Sequence, residues 1–403
     1  MELRKINISD IGKIITGKTP RTSIAENYGG NIPFLTPSDD LSRKHVVKTG
    51  KTLSSIGLEE VKNCLIPEKS ICVSCIGSDL GKVVMTNIPT VTNQQINSII
   101  VREGFDPDFI YYLMIIVGRE LNFMSKTSTA VPIINKSTFS NTEVFVPNLE
   151  NQIRIGKILS SLDDKIELNR QINDNLEQQI QTLYREWYID NPKTEWATIS
   201  LSEVATFVSG YSYKGNELVD SSETAMATIK NFERNGGFKL DGYKPISPSS
   251  KLKEEQHAEL FDILVAHTDL TQNAEVIGNA EIILSKDSYN DIIFSMDLVK
   301  VVAKESFPYQ FLLALLLKNP VFKSHCIGYV NGTTVLHMNK RALPDFNTQI
   351  PTCEDAARMN EMAKSIFTKM YENLSEIANL TKLRDSLLPK LMSGELKINE
   401  IDC

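Results

Sequence analysis

ENQIRIGKILSSLDDKIELNRQINDNLEQQIQTLYREWY, residues 150–188, is the stretch whose reading decides the architecture. Its apolar residues are Ile155, Ile158, Leu159, Leu162, Ile166, Leu176, Ile180, Leu183 and Trp187. From Leu159 onward, with Asn169 and Asn173 filling the gap, they recur at alternating three- and four-residue steps, the spacing of one face of an α-helix. The two asparagines interrupt that stripe, and a polar seam residue fixes register at a cost in stability. No glycine lies between Gly156 and Gly210 and no proline between Pro147 and Pro192. Nothing breaks the helix, which would therefore be about 60 Å long at 1.5 Å per residue. That far exceeds the mean helix of about 11 residues, so an ordinary surface helix is a poor reading.

A stripe of this length needs a second helix, and the chain offers one near its end. Met359, Met362, Ile366, Met370, Ile377, Leu380, Leu387 and Leu391 repeat the pattern. The spacing predicts a helix pair whose seam holds Ile166, Leu176, Ile180, Leu183, Met370, Ile377, Leu380 and Leu387, with Leu176, Ile180 and Leu183 facing Leu380, Leu387 and their neighbours.

Working outward, the rest of the chain reads as one plan used twice. ISDIGKIITG at 8–17 returns as LSEVATFVSG at 201–210. ICVSCIGSDLGKVV at 71–84 aligns with ILVAHTDLTQNAEV at 263–276, and STAVPIINK at 128–136 with GTTVLHMNK at 332–340. FVPNLEN at 145–151 matches QIPTCED at 349–355, where Pro147 and Pro351 each end a strand and Glu150 and Glu354 fall in a first helical turn that favours an anion. Strands are expected at Ser70–Ile76, Ser98–Val101, Ile282–Leu284 and Leu298–Ala303, and helices at Pro107–Gly118 and Pro308–Leu317. The expected fold is α/β (α+β), with two pseudo-repeated globular domains separated by two long antiparallel coiled-coil helices. The divisions are 1–149, 150–190, 191–351 and 352–403.

At 41% apolar and 23% charged, the 403 residues read as a soluble, multidomain globular chain. The charges at Glu2, Arg4 and Lys5 are unlike a signal core, and the apolar runs at 110–117 and 311–317 are too short to span a bilayer, so a cytoplasmic protein is expected. A net charge of −7 means that any DNA-facing surface must be a local patch.

Several motifs invite a catalytic reading. Gly12–Thr19 matches the phosphate-loop pattern, but that motif needs a buried strand before it and a helix opening at the lysine. Asn7, Ser9 and Asp10 break the one, Pro20 the other, and the second copy has no lysine there. Cys72 and Cys75 form a C-x-x-C within a strand, where residues three apart face opposite ways, and no second pair completes a zinc set. Asn191-Pro192-Lys193-Thr194 lacks the second proline and the aromatic of an amino-methyltransferase loop, and there is no glycine-rich cofactor loop. No catalytic set, metal or cofactor is expected.

What remains is polar loop chemistry suited to DNA. Lys18, Thr19, Arg21, Arg43, Lys44, His45, Lys48 and Lys51 suit phosphates, and Ser128 lies in a further polar loop. Asn93, Gln94 and Gln95 carry amides able to read adenine. In the second copy Tyr211, Tyr213, Lys214, Lys230, Asn231, His267, Asp269 and Thr333 occupy corresponding places.

The chain resembles the specificity (S) subunits of type I restriction-modification enzymes. The resemblance is carried by Ile14-Ile-Thr-Gly-Lys-Thr-Pro20, Ile32-Pro-Phe-Leu35 and Leu383-Arg-Asp-Ser-Leu-Leu-Pro-Lys-Leu-Met-Ser-Gly-Glu-Leu396, and extends to the order of two units and two helices. It implies two target-recognition domains, each reading one half of a split sequence in double-stranded DNA, with the helices as spacer. It also implies docking of two methyltransferase (M) subunits, restriction/translocase (R) subunits joining through them, and no catalysis by this chain. The competing readings are a P-loop nucleotide-binding protein and a coiled-coil scaffold without DNA contact. Isothermal titration of the chain with S-adenosylmethionine or ATP is expected to give no heat of binding; a micromolar site for either overturns the non-catalytic reading.

Overall fold

The structure, a computed structural model, describes residues 2–46, 48–125, 133–332 and 335–396. The chain divides into two compact units: Met1–Glu167 with Asn379–Cys403, and Leu168–Ala378. Two long helices, Leu149–Tyr184 and Cys353–Ser393, each contribute one part to each unit. Pro147 and Pro351 precede them, and side chains cap them: Asn148 accepts from the Asn151 amide (3.0 Å) and Thr352 from that of Asp355 (3.3 Å).

The two units repeat one topology. In the first, an antiparallel sheet runs Gly12–Thr16, Ile96–Val101, Ile71–Ser74, Val83–Met85. In the second, Ala205–Ser209, Leu298–Ala303, Ile263–Ala266 and Ala280–Ile282 follow in the same order. Each unit also holds a parallel pair, Tyr28–Leu35 with Thr90–Thr92 and Thr224–Ala227 with Asp291–Phe294. Each closes with an antiparallel pair leading into a long helix, Arg4–Asn7 with Glu143–Val146 and Ala197–Ser200 with Asn347–Ile350.

The expected match of 8–17 with 201–210 becomes a helical turn followed by a strand in both places. Asp10 and Glu203 reach back to the amides of Asn7 (2.9 Å) and Ser200 (3.1 Å), so each turn starts in the same way. The match of 71–84 with 263–276 holds across the first strand and then slips. The link to the neighbouring strand of the same sheet runs from 75 to 82 in one unit and from 267 to 279 in the other, where it includes the short strand Thr268–Asp269. The helix expected at Pro107–Gly118 continues to Ser125. Its counterpart is divided into Gln310–Leu317 and Pro320–Ile327, because Pro320 cannot donate within a helix and Asn319 caps the new start through the amides of Val321 and Phe322.

The long helices are built into both cores. In the first unit Ile155 and Leu159 of one helix and Leu388, Leu391 and Met392 of the other pack in the cluster of Ile71, Phe109, Tyr112 and Phe139. In the second, Ile180, Met359, Phe367 and Met370 join Ile263, Val265, Leu312 and Leu316. Within that unit the pairing is antiparallel: the Asn169 amide donates to Glu376 (2.8 Å), Asn373 to Asn173 (2.8 Å) and Asn173 to the Met370 carbonyl (3.3 Å). The asparagines thus bond across the seam, as register-setting residues do.

Of the expected seam residues, Ile166, Ile180 and Met370 are buried, and Leu176, Leu183, Ile377, Leu380 and Leu387 are partly so. The expected facing was wrong: Leu176, Ile180 and Leu183 pack in the cluster of Met359, Phe367 and Met370, whereas Leu387 packs in the first unit's cluster, because the asparagine bonds set a register in which residue 173 meets 370 and 373. The reading of the second helix was wrong at Met362, which is 42% exposed. Phe367 is buried where Ile366 is only half-covered, and Ala356 and Ala363 complete the buried row. A stripe drawn through large side chains misses alanines at a close helix contact. Among the described residues no helix is long and apolar enough to cross a membrane.

Ile180 is only 1% exposed. Ile180→Ala should lower the stability of the chain by roughly 2–5 kcal/mol, read as a shifted urea midpoint. A variant with the wild-type midpoint would show that this part of the seam contributes nothing.

Candidate nucleic-acid interface

The phosphate-loop alternative is overturned by the segment's own hydrogen bonds. Gly12–Thr16 is a strand, the Gly17 amide donates to the Ile96 carbonyl (3.1 Å) and the Lys18 amide to that of Thr92 (2.9 Å). The amides that would cradle a phosphate are committed to the sheet. Cys72 and Cys75 belong to different apolar clusters, and burial raises their thiols to about 12 and about 11.

What this segment does instead is brace a turn, in the same way in both units. Gly210 donates to Leu298 (3.2 Å) and Tyr211 to Phe294 (2.7 Å), repeating the bonds of Gly17 and Lys18. The turn at 93–95 is tied by Asn93 to Leu35 (3.0 Å), Ile96 to Asn93 (3.2 Å) and Cys75 to Gln95 (2.8 Å). The turn at 295–297 is tied by Ser295 to Ala227 (2.9 Å), Leu298 to Ser295 (2.9 Å) and His267 to Asp297 (2.8 Å). Both glycines are required by close approach: a Cβ on Gly17 would lie 2.2 Å from the Asn93 carbonyl oxygen, and one on Gly210 2.0 Å from that of Ser295.

Around the first turn, Lys18, Arg21 and Gln94 are exposed. Thr19 donates to the Gln94 side-chain oxygen (2.6 Å), and Asn93 is buried with its amide on Gln95 (2.9 Å). Arg21 is held by Glu60 through its Nε (3.0 Å) and an Nη (2.7 Å), bonds that hold the Glu60 carboxyl down at about 2. Arg43 and Lys44 are turned toward the first unit's own helices. Arg43 meets Glu167 (3.2 Å), while Lys44 meets Asp108 (2.5 Å) and Ser160 (2.8 Å), its Nζ 5.6 Å from the Tyr112 ring centroid. They serve as internal ties rather than surface charges.

Beneath them, buried Asp163 accepts from Tyr112 (2.5 Å) and Arg384 (2.6 Å), joining the globular body to both long helices. Burial works against the Arg384 charge, but Asp163 and Asp385 outweigh it and raise its pKa. The second unit has its own tie: Lys318 is buried against Glu281 and Glu177 (3.1 Å), whose charges overcome its desolvation and raise its pKa.

In the second unit Lys214 and Lys230 are exposed and Tyr213 is partly buried. Tyr211 is buried, its hydroxyl on Glu217 (2.8 Å) and Ser249 (2.8 Å). Asn231 is 0% exposed and spends its amide on the Lys239 carbonyl (2.7 Å), so its role is to hold its loop. His267 is half-buried, and burial, then His337 and Lys340, push its pKa down. Asp269 shapes its loop by accepting from Thr271 (2.7 Å) and Val276 (2.9 Å); burial opposes its ionisation, and these bonds prevail in keeping its pKa low. Ser128 and Thr333 lie outside the described residues.

A cleft of about 660 Å³ runs between these loops, lined by Lys230, Arg234, Lys239, Leu270 and Thr271 among others. Arg234, Lys239, Leu270 and Met296 were not singled out from the sequence. Leu270 and Met296 are apolar residues held exposed, 67% and 54%, which their residue types do not signal.

The fold is that of a duplicated, two-unit protein with a shared helix pair and polar loops on braced turns. Residues 2–178 match the family model "Type I restriction modification DNA specificity domain". The chain as a whole is similar to the type I restriction enzyme MjaIX specificity subunit of Methanocaldococcus jannaschii, 26% identical across 98% of this chain and 93% of that one. It is 39% identical to the HindI specificity subunit of Haemophilus influenzae over 36% of this chain and 31% of the relative. Among solved structures, the type I restriction-modification S subunit from M. genitalium shares the fold with a TM-score of 0.59 and 14% identity, covering 97% of this chain and 96% of that one.

Asp163→Ala should cost roughly 1–3 kcal/mol, because it removes the acceptor of the buried Tyr112 hydroxyl and leaves half-buried Arg384 with Asp385 alone. Replacing the whole group, Asp163→Leu with Arg384→Met and Tyr112→Phe, should recover most of that loss in urea unfolding. A single variant as stable as wild type would mean the tie is dispensable.

Proposed function

We propose that this chain is the sequence-reading subunit of a type I restriction-modification complex. Each unit reads one half of a bipartite site in double-stranded DNA, and the chain itself carries out no chemistry. Two methyltransferase subunits dock on it, and restriction/translocase subunits join through them. The observation that carries this reading is the bonded turn found in both units, with five equivalent backbone bonds and exposed side chains at its tip. A duplicated reading head suits a target with two separate halves. Direct readout requires side chains held rigidly at base edges, and turns fixed to a sheet provide that.

Charge distribution supports the same reading. The chain is net acidic, yet Lys18 and Arg21 flank the first turn and Lys230, Arg234 and Lys239 line the cleft of the second unit. Phosphate contacts from such groups position the protein, while base contacts specify the site. A pure scaffold would have no use for the paired turns. The match of residues 2–178 to a DNA specificity domain model supports it further.

The reading is tested by exchanging residues 1–147 for the equivalent unit of a relative and mapping methylated DNA in cells that also carry the methyltransferase subunit. One half of the methylated sequence should change and the other stay. If both halves change, the units do not read independently; if neither changes, DNA choice lies outside this chain.

A further inference from the structure

We infer that Gln94 and Met296 are equivalent specificity-determining residues, one reading its base pair by hydrogen bonds and the other by apolar contact. This rests on the DNA-reading function proposed above and goes further by naming the position and the chemistry in each half-site.

The equivalence comes from the backbone. Gln94 stands between Asn93 and Gln95, and Met296 between Ser295 and Asp297. The residues on either side are fixed by matching bonds: Asn93 and Ser295 each donate to the parallel strand, and Gln95 and Asp297 each accept from the strand that begins the long loop. Gly17 and Gly210 press against the carbonyls of Asn93 and Ser295. The middle residue alone is left exposed at the tip, Gln94 in one unit and Met296, 54% exposed, in the other. A methionine in water at the tip of a braced turn contributes nothing to the core of its own unit.

The chemistries differ. The Gln94 oxygen accepts from Thr19 (2.6 Å), which orients the amide without exhausting it. A carbonyl oxygen has a second lone pair, and the amide nitrogen keeps its donors. That is the pattern that pairs with adenine N6 and N7 in the major groove. Met296 has no such pattern. Its polarizable thioether fits an apolar feature, and in the major groove that feature is the thymine methyl. The Met296 amide donates to the Tyr211 carbonyl (2.9 Å), so its backbone is fixed as well. One frame thus carries a polar reader in the first unit and an apolar reader in the second. The two halves of the target should differ in kind at the base pair each tip meets.

The test uses the chain in complex with its methyltransferase subunit, with wild type, Gln94→Met and Met296→Gln compared by sequencing methylated DNA. Each swap should alter preference at one base pair of one half-site, by roughly 5- to 150-fold, and leave the other half-site unchanged. Swaps that methylate the wild-type sequence at the wild-type rate overturn the inference, as does a single swap that changes both halves. If a swap abolishes methylation, Gln94→Ala and Met296→Ala are measured in competition binding against DNA substituted at each position in turn. Loss confined to one position supports the inference, and uniform loss overturns it. Failure of the function itself looks different: the wild-type complex would methylate without reference to this chain's recognition units.

Discussion

Everything in this molecule depends on the apolar faces of two long helices being buried in two different cores. Ile155 and Leu159 close the core of one unit and Ile180 that of the other, though all three belong to one helix. The second helix does the same with Met359, Phe367 and Met370 at one end and Leu388 and Leu391 at the other. Neither globular body has a complete core from its own stretch of chain. Burial of apolar surface is therefore what couples residues some two hundred positions apart, and no local interaction is large enough to replace it.

Within that frame, polar groups supply direction. Apolar stripes alone would tolerate a slide along the seam or a reversal of one helix. Asn169, Asn173 and Asn373 pair in the register seen, and a slide would cost buried Asn169 and Asn373 these bonds. The charged ties act similarly between body and helix. Asp163 with Arg384 and Tyr112, and Lys318 with Glu281 and Glu177, are costly to bury and costlier to separate. They make the angle at which each body meets its helices a matter of specific bonds. On the proposed function the turns need this rigidity, since an error of an ångström at a tip loses a hydrogen bond to a base.

Much of the plan was legible in the sequence because its signals are periodic or repeated. The long helices, the prolines that precede them, the strands Leu298–Ala303 and Ile71–Ser74 and the duplicated entry turns follow from spacing and from Pro and Gly at fixed places. The site was legible only as a set of loops. Lys44, Tyr211 and Asn231 look like surface polar groups on paper, yet the fold spends them internally. Met296 and Leu270 look like core residues and are exposed. Polarity predicts exposure on average, but any one polar group can be buried once a partner is within reach.

By itself, then, the sequence determined that two similar α/β bodies alternate with two helices too long to stand alone, since periodicity and chain breaks are local properties. Only the tertiary structure decided which residue of each turn faces outward, because that depends on Gly17 and Gly210 meeting carbonyls about eighty residues away in the chain. It also decided that alanines rather than Met362 complete the second helix's buried row. Which side chain is left at a tip is settled by what the rest of the chain packs against it, and that is information no short window of residues contains.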